Sequence, residues 1–421
     1  MELRVRDYET KYDVIVVGAG PAGCAAAIAA GRNGAKVLLL EAGTAPGGMA
    51  TLGLVSKWAP LTNKKELIYK SLPLEIVTRY KERAGIEPAK WDWINIDPEA
   101  LKVVYDEMLT EAHVHVLYQI HVVDVVKDGE TIKSVVAATK SGLRNFSAEI
   151  FIDCTGDGDV AYFAGCPYEM GGEDGNLQPG SLCFVIAGAD LSKKPRDMQM
   201  NSNPPDGLWA KIRNEKKYPR IAKHFIPALF GNTLVFANAG HLYQLDSTNE
   251  ESVSEALVEG RAMAYDYLAA LKEYLPEVYK DARIVETAPL VGVRESRRIM
   301  GEYVITTEDY LARRSFPDEI GRNCYWMDCH GKRDSVKEGS THYEPGESHG
   351  IPFRALLPKK STNLLVAGRC ISMERMALAS LRVMPNCLVE GEAVGICASL
   401  AVKEGKTVRE VDVREIQALQ N

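Results

Sequence analysis

Residues Asp13 to Val17, reading DVIVV, form a short β-branched apolar run. It meets a glycine-rich turn and passes into an alanine-rich stretch from Ala22 to Arg32. A run of this length followed by small helix formers predicts strand, turn and helix. A second apolar run, Lys36 to Leu40, ends at Glu41, and the loop Thr44 to Thr51 brings Gly47 and Gly48 together. The opening is therefore expected to be a βαβ unit.

Lys64 to Ala84 has helical spacing interrupted at Pro73. Asp97-Pro98-Glu99 reads as a helix start, with Asp97 as cap, Pro98 at the first position and the helix running to about Ala112. Alternating segments follow at Val114 to Val126, Thr131 to Lys140 and Leu143 to Asp153. Asp128-Gly129 and Ser141-Gly142 separate them, which predicts a small antiparallel meander. From about Gly165 to Glu347 the periodicity weakens and Gly, Pro and Asn become more frequent, with a helix expected near Ser252 to Leu275. The tail resumes the opening style, with a strand at Asn363 to Ala367, Gly368-Arg369, and a small-residue helix from about Pro385 to Glu404. Two distant segments thus complete one nucleotide domain. The predicted fold is α/β, a Rossmann-like domain of parallel sheet plus antiparallel meander (residues 1–165 and 348–421), with an inserted α+β substrate domain (166–347).

A chain of 421 residues exceeds a single ordinary core, in keeping with two units. An apolar share of 46% and charged residues at 25%, spread along the chain, are globular. The 57 acidic against 50 basic residues leave a net charge of -7, which disfavours a general binder of nucleic acid or anionic membrane. No apolar run approaches the roughly 20 residues that cross a bilayer, and the N-terminus lacks a signal-peptide hydrophobic region, so a cytoplasmic protein is expected. The nine cysteines are scattered without a CxxC pair, Cys324 and Cys329 being nearest. Neither an iron-sulfur cluster nor structural zinc is suggested, and no metal is expected.

Gly18-Ala19-Gly20-Pro21-Ala22-Gly23 fits GxGxxG in the required context, leaving a strand and opening a helix. Gly18 permits the turn, Gly20 lets backbone approach a pyrophosphate, and Gly23 allows helix and strand to pack closely. Pro21 suits the first helical position, and the helix's positive end faces the phosphates. Glu41 lies where a carboxylate accepts ribose hydroxyls, and it would repel a 2'-phosphate. Gly47 to Thr51 offer backbone amides past which a longer cofactor could run. The acidic spacing in Asp153 to Asp159 hints at a calcium loop, but the last EF-hand ligand would fall on Ala164, so the loop is read as touching the cofactor, with Asp159 capping the next helix. Gly391, Gly395 and Ser399, four apart, make a smooth face for another backbone. A helix from Pro385 would aim its positive end at an anion such as the N1/C2 edge of a reduced flavin.

Together the GAGPAG turn, Glu41, GGMAT, DCTGDGD, GVRESRR at Gly292 to Arg298, and VAGRC followed by RVMPNCLVEGEAVG resemble the FAD-dependent oxidoreductases of the glutathione-reductase-like flavoprotein superfamily. The resemblance leaves mainly Gly171 to Lys280 without a motif. It implies one FAD. Gly18, Gly20, Pro21, Ala22 and Gly23 would hold its pyrophosphate, Glu41 with Ala42 its adenosine ribose, and Gly48, Met49, Ala50 and Thr51 its flavin side. It also implies Val122 or Val123 at adenine, Thr155, Gly156 and Asp157 beside the cofactor, and Gly368, Arg369, Pro385, Asn386 and Cys387 at ribityl and flavin. The chain departs from disulfide reductases in lacking a second GxGxxG and a redox CxxC, so no built-in nicotinamide domain is expected.

Flavin N5 accepts a hydride itself, which leaves the protein to place the substrate and manage a proton. Arg294 and Arg297 could clamp a substrate carboxylate or simply pair with Glu295 and Glu302. His330, His342 and His349 lie near Tyr325 and Tyr343, and His349 is carried forward as a candidate base. Cys370 beside Arg369 is either a low-pKa thiol or a packed one. The expected partners are a small-molecule substrate and an unidentified electron donor or acceptor. Three rival readings remain. An RNA-modifying flavoprotein would use the basic run Lys211, Arg213, Lys216, Lys217, Arg220 and Lys223. A flavin-binding scaffold would bind FAD yet accept no electrons, and an NAD-dependent dehydrogenase would be colourless.

Overall fold

The computed structural model describes residues 4–195, 207–221, 224–331 and 342–420. Its main sheet is built on β1 (Tyr12–Val17), β2 (Val37–Glu41), β3 (His115–Tyr118), β4 (His121–Asp128), β5 (Thr131–Thr139) and β6 (Gly142–Asp153). The order is β3-β2-β1-β6-β5-β4. The first four strands are parallel, and β6 to β4 form the antiparallel meander. β6 serves both halves, pairing its N-terminal residues with β5 and its C-terminal residues with β1 and with the strand Leu364–Val366. The distant tail is thereby joined to the main sheet.

Helix α1 (Pro21–Arg32) is buried from Pro21 to Ala30 because a second helix covers it: the long helix Met384–Glu404, called the cofactor helix for the role the sequence resemblance implies. A Cβ on Gly391 would lie 2.1 Å from the carbonyl oxygen of Ala22, and one on Gly395 2.3 Å from that of Ala26. Ser399, a turn further on, is also buried. Alanine on one helix and glycine on the other permit this close backbone approach.

Two elements differ from the sequence pattern. The run Val114 to Val126 divides at Gln119, whose φ is +59°, so β3 joins the parallel edge beside β2 and only β4 enters the meander. Alternation is the same in both strands, so it does not reveal the break. The helix expected over Lys64 to Ala84 begins at Ser71, which puts Pro73 in its first turn, where a missing N–H costs no intrahelical bond.

A second core gathers around an antiparallel sheet made of Phe184–Ala187, Phe225–Phe230, Leu234–Ala239 and Arg283–Thr287. The helix Glu250–Tyr274 covers it, capped by Asn249, whose side chain accepts the Ser252 N–H. Trp209, Phe225 and Tyr267 fill its centre. Described packing returns to the first core at Ile299. No helix among the described residues is long and apolar enough to cross a membrane.

Candidate functional site

The glycine turn separates packing from ligand requirements. Gly18 has φ +94°, and a Cβ there would lie 2.5 Å from the Cys154 carbonyl oxygen. A Cβ on Gly23 would lie 1.7 Å from the Gly18 oxygen, so helix and strand could not meet. Gly20 is different. Its backbone (φ -67°, ψ -177°) suits any residue, and a Cβ there would meet no protein atom within 4 Å. Protein packing therefore demands glycine at 18 and 23 but not at 20. Pro21 occupies the first turn and no side chain caps α1, which leaves the first N–H groups and the helix's positive end to an anion.

The loop after β2 closes on this turn, with Gly47 N–H donating to the Ala19 oxygen at 2.7 Å. Gly48 to Ala50 make a short 3-10 turn facing Gly20, and Thr51 anchors it by donating to the Pro46 oxygen at 2.6 Å. The Glu41 carboxylate accepts Ala19 N–H at 2.5 Å and Gly43 N–H at 2.6 Å, and its remaining lone pairs suit ribose hydroxyls. Ala42 lies between these partners. The chain from Gln119 then runs beside Glu41, Ile120 N–H donating to the Glu41 oxygen, and leads to Val122. Val123 is exposed at a bulge in the β4–β5 ladder, where it has no residue opposite it in the register. Replacing Glu41 by Gln turns one accepting oxygen into a donor facing backbone N–H groups. FAD affinity should fall roughly tenfold to a hundredfold, from a charged hydrogen bond of about 1.5–3 kcal/mol, as fluorescence titration would measure.

The end of β6 organises the next part. Asp153, fully buried, accepts Thr155 N–H and Oγ1–H and the Ala161 N–H. It therefore holds the short helix Asp159–Phe163, a task assigned from sequence to Asp159. Asp159 instead pairs with Arg297 at 2.8 Å. Burial, Asp153 and Asp157 raise its carboxyl to about 6. Gly156 (φ +80°) brings the backbone under Arg369, whose Nη2 donates to Asp157 at 2.9 Å and whose Nη1 donates to Ser296 at 2.5 Å. Burial raises the Asp157 carboxyl, but Arg369, Ser296 and Ser247 outweigh that and hold it below the ordinary carboxylate range.

Gly368 N–H donates to Glu390 at 2.7 Å. Glu390 is fully buried, its other oxygen has no hydrogen-bond partner, and burial lifts its pKa well above the usual value. The cofactor helix begins beside it without a side-chain cap, with Pro385 in the first turn. Asn386 accepts Tyr69 O–H at 2.6 Å and donates to Asn323 at 2.9 Å, so its side chain fixes the helix start, while its backbone N–H donates to the Val383 oxygen at 3.1 Å. Burial keeps the Cys387 and Cys370 thiols protonated, which removes the low-pKa thiol alternative at Cys370.

The turn between β1 and α1, the acid ending β2, and the Asp157–Arg369 and Gly368–Glu390 pairs define a dinucleotide-binding protein whose ligand runs well past the pyrophosphate. FAD fits these residues: Gly20 offers a bare backbone, and Glu390 presents a buried oxygen without a partner. The family described as FAD dependent oxidoreductase matches residues 13–420, and the chain belongs to it. Over 34 residues, 8% of this chain and 5% of the relative, it is 68% identical to the tRNA uridine 5-carboxymethylaminomethyl modification enzyme MnmG of Geobacter metallireducens. Over 36 residues, 9% of this chain and 4% of the relative, it is 58% identical to sarcosine oxidase subunit alpha of Rhizobium meliloti. Among solved structures, CabE, an aromatic hydroxylase from angucycline biosynthesis, aligns at TM-score 0.50 and 13% identity, covering 98% of this chain and 65% of that one. BexE aligns at 0.50 and 12%, covering 98% and 66%. These two share the fold.

The candidates for chemistry separate in space. Arg297 is held by Asp159 and the Asp157 carbonyl, with its guanidinium 4.1 Å from the Tyr162 ring centre; of the two sequence alternatives it makes an ion pair, with Asp159 in place of Glu295 or Glu302. His349 is fully buried against Tyr310 and Tyr343, bonded through Nδ1 to the Tyr343 hydroxyl. It does not join the other histidines. The structure instead gathers His330 with His224 and His241, their ring centres 4.9 to 5.5 Å apart, beside Arg294. His224 and His241 belong to the patternless insertion, where no sequence signal marked them. Glu390 did carry a signal, as an acid that with Glu392 interrupts an otherwise apolar, small-residue helix.

Proposed function

We propose that the protein is a flavin-dependent oxidoreductase exchanging a hydride between bound FAD and a small organic molecule, without a nicotinamide domain of its own. The observation that carries this reading is Gly20, whose bare Cβ position opens onto an uncapped helix terminus, next in the chain to Ala19, whose N–H donates to Glu41. FAD, when bound, supplies two-electron chemistry at its ring nitrogen N5. The chain's own residues position and shield. Arg369 fixes Asp157 and Ser296 at one wall, Glu390 places beside Gly368 a buried carboxyl whose pKa burial lifts well above the usual value, and the cofactor helix, which has no side-chain cap, would offer its positive end to negative charge on the bound ring.

The basic run assigned to the RNA reading is partly spent on neighbours, since Lys217 pairs with Glu273 and Arg220 with Asp266. Lys223 lies outside the described residues. None of the nine cysteines is in a disulfide, which fits a reducing compartment such as the cytoplasm. Anaerobic titration of the purified protein with dithionite, then with a panel of small acids, alcohols and amines, tests the reading. Full bleaching by dithionite and bleaching by one organic donor are expected. A flavin that dithionite reduces but no organic donor, nor NADH, ever does would favour the scaffold.

A further inference from the structure

Arg294 is buried, and among the described residues no carboxylate forms an ion pair with it. Its Nη1 donates to the Pro179 oxygen at 2.6 Å and to Ser181 at 3.0 Å, while Nη2 reaches only His224, at 3.4 Å. A buried guanidinium without a counter-charge is costly to retain unless an anion joins it. Burial and the nearby Arg382 lower its proton affinity, to about 10, yet leave it charged at neutral pH.

The groups around it lack partners in the same way. His241 Nε2, His330 Nδ1, Gln178 Nε2 and Arg382 Nε are all buried without a hydrogen bond. The charge count is simple: Arg294 and Arg382 are positive, Asp328 is negative, and burial keeps the three histidines neutral. Among the described residues one positive charge is left over. His330 Nε2 lies 3.3 Å from Asp328, so a proton held there leaves Nδ1 as a bare acceptor for a hydroxyl. The cluster also sits close to the cofactor wall. Arg294 is two residues from Ser296, the partner of Arg369, a span of about 7 Å at most along extended chain, and Arg382 immediately precedes the cap of the cofactor helix.

We propose that Arg294 and the histidine cluster bind the carboxylate of a small monoanionic substrate, one with a hydroxyl or keto oxygen beside that carboxylate. This rests on the oxidoreductase reading above and narrows its substrate class. Lactate, pyruvate, acetate, methyl pyruvate and inorganic phosphate are the probes, each titrated calorimetrically into the purified protein at millimolar concentration while the flavin spectrum is recorded. Pyruvate or lactate should bind more tightly than acetate, and methyl pyruvate should bind weakly. Arg294→Met should weaken carboxylate binding roughly tenfold to a hundredfold while leaving methyl pyruvate unchanged. If that variant does not fold, His241→Asn, which removes a nitrogen without a partner, should weaken pyruvate several-fold. Tighter binding of phosphate than of any carboxylate, equal binding of pyruvate and its ester, or no heat from any of the three acids would overturn the proposal. The heat is read whether or not flavin is present, so a colourless protein defeats the oxidoreductase reading, and a yellow one indifferent to these acids defeats only this one.

Discussion

Gly20→Ala is expected to fold as well as the parent and to lose FAD, whereas Gly23→Ala is expected to lose both fold stability and FAD. At Gly20 the backbone already sits where alanine is comfortable, and the added methyl meets no protein atom. Its effect on the protein alone should be small, within about 1 kcal/mol, because a stiffer unfolded chain offsets a poorer N-cap. The same methyl stands where the pyrophosphate must approach the backbone, and FAD affinity should drop by at least about two orders of magnitude, or roughly 3 kcal/mol. At Gly23 the methyl would lie 1.7 Å from the Gly18 oxygen. Relief requires moving α1 off β1, where it also carries the cofactor helix, so a loss of about 1–3 kcal/mol or more is expected. Urea unfolding of the two apoproteins, set beside fluorescence titration with FAD, separates the outcomes. Equal destabilisation of both variants would mean that Gly20 is glycine for packing.

Acid should weaken the fold from about pH 6.5 downward, well before most carboxylates titrate. Burial holds His224 well below its ordinary pKa, His241 near about 2, and His330 and His349 near about 3. A depressed pKa means that the unfolded chain takes up the proton first, so stability is present above the unfolded value, about 6.5, and is lost as pH falls toward the folded one. His241, His330 and His349 should each remove roughly 2 kcal/mol between pH 7 and pH 5, and His224 acts in the same direction. Glu390 and Asp159 act with the opposite sign. Their raised folded pKa values give stability that is full below about pH 4 and is lost as pH rises, so they offset part of the fall over the same window. Urea unfolding at several pH values should therefore give a slope that flattens by about one proton in His330→Asn and steepens by about one in Glu390→Gln. A slope unchanged by either substitution would mean that these groups titrate normally in the folded protein.

Legibility followed locality. The glycine turn, Glu41, the strand into Asp153 and the late helix were readable because each is a short contiguous pattern whose spacing has one structural meaning. Position alone, however, did not reveal the division of labour within the turn, since Gly18, Gly20 and Gly23 look alike until the backbone around each is seen. Asp153 takes the task expected of Asp159 for a related reason: both are acids in one loop, and the bend at Gly156 and Gly158 decides which reaches the helix. The histidine cluster was the least readable, because His224, His241 and His330 come from separate segments whose meeting depends on the insertion's sheet. Arg294 and Arg297 were equal candidates in GVRESRR. An extended segment sends their side chains different ways, one to the histidines and the other to Asp159.

The visible absorption spectrum of the freshly purified protein, taken before and after heat denaturation with chromatography of what is released, tests the central claim most directly. Flavin bands carried by the native protein, with FAD recovered in the supernatant at close to one per chain, are the expected result. A colourless protein that still shows no flavin bands after incubation with FAD would contradict it.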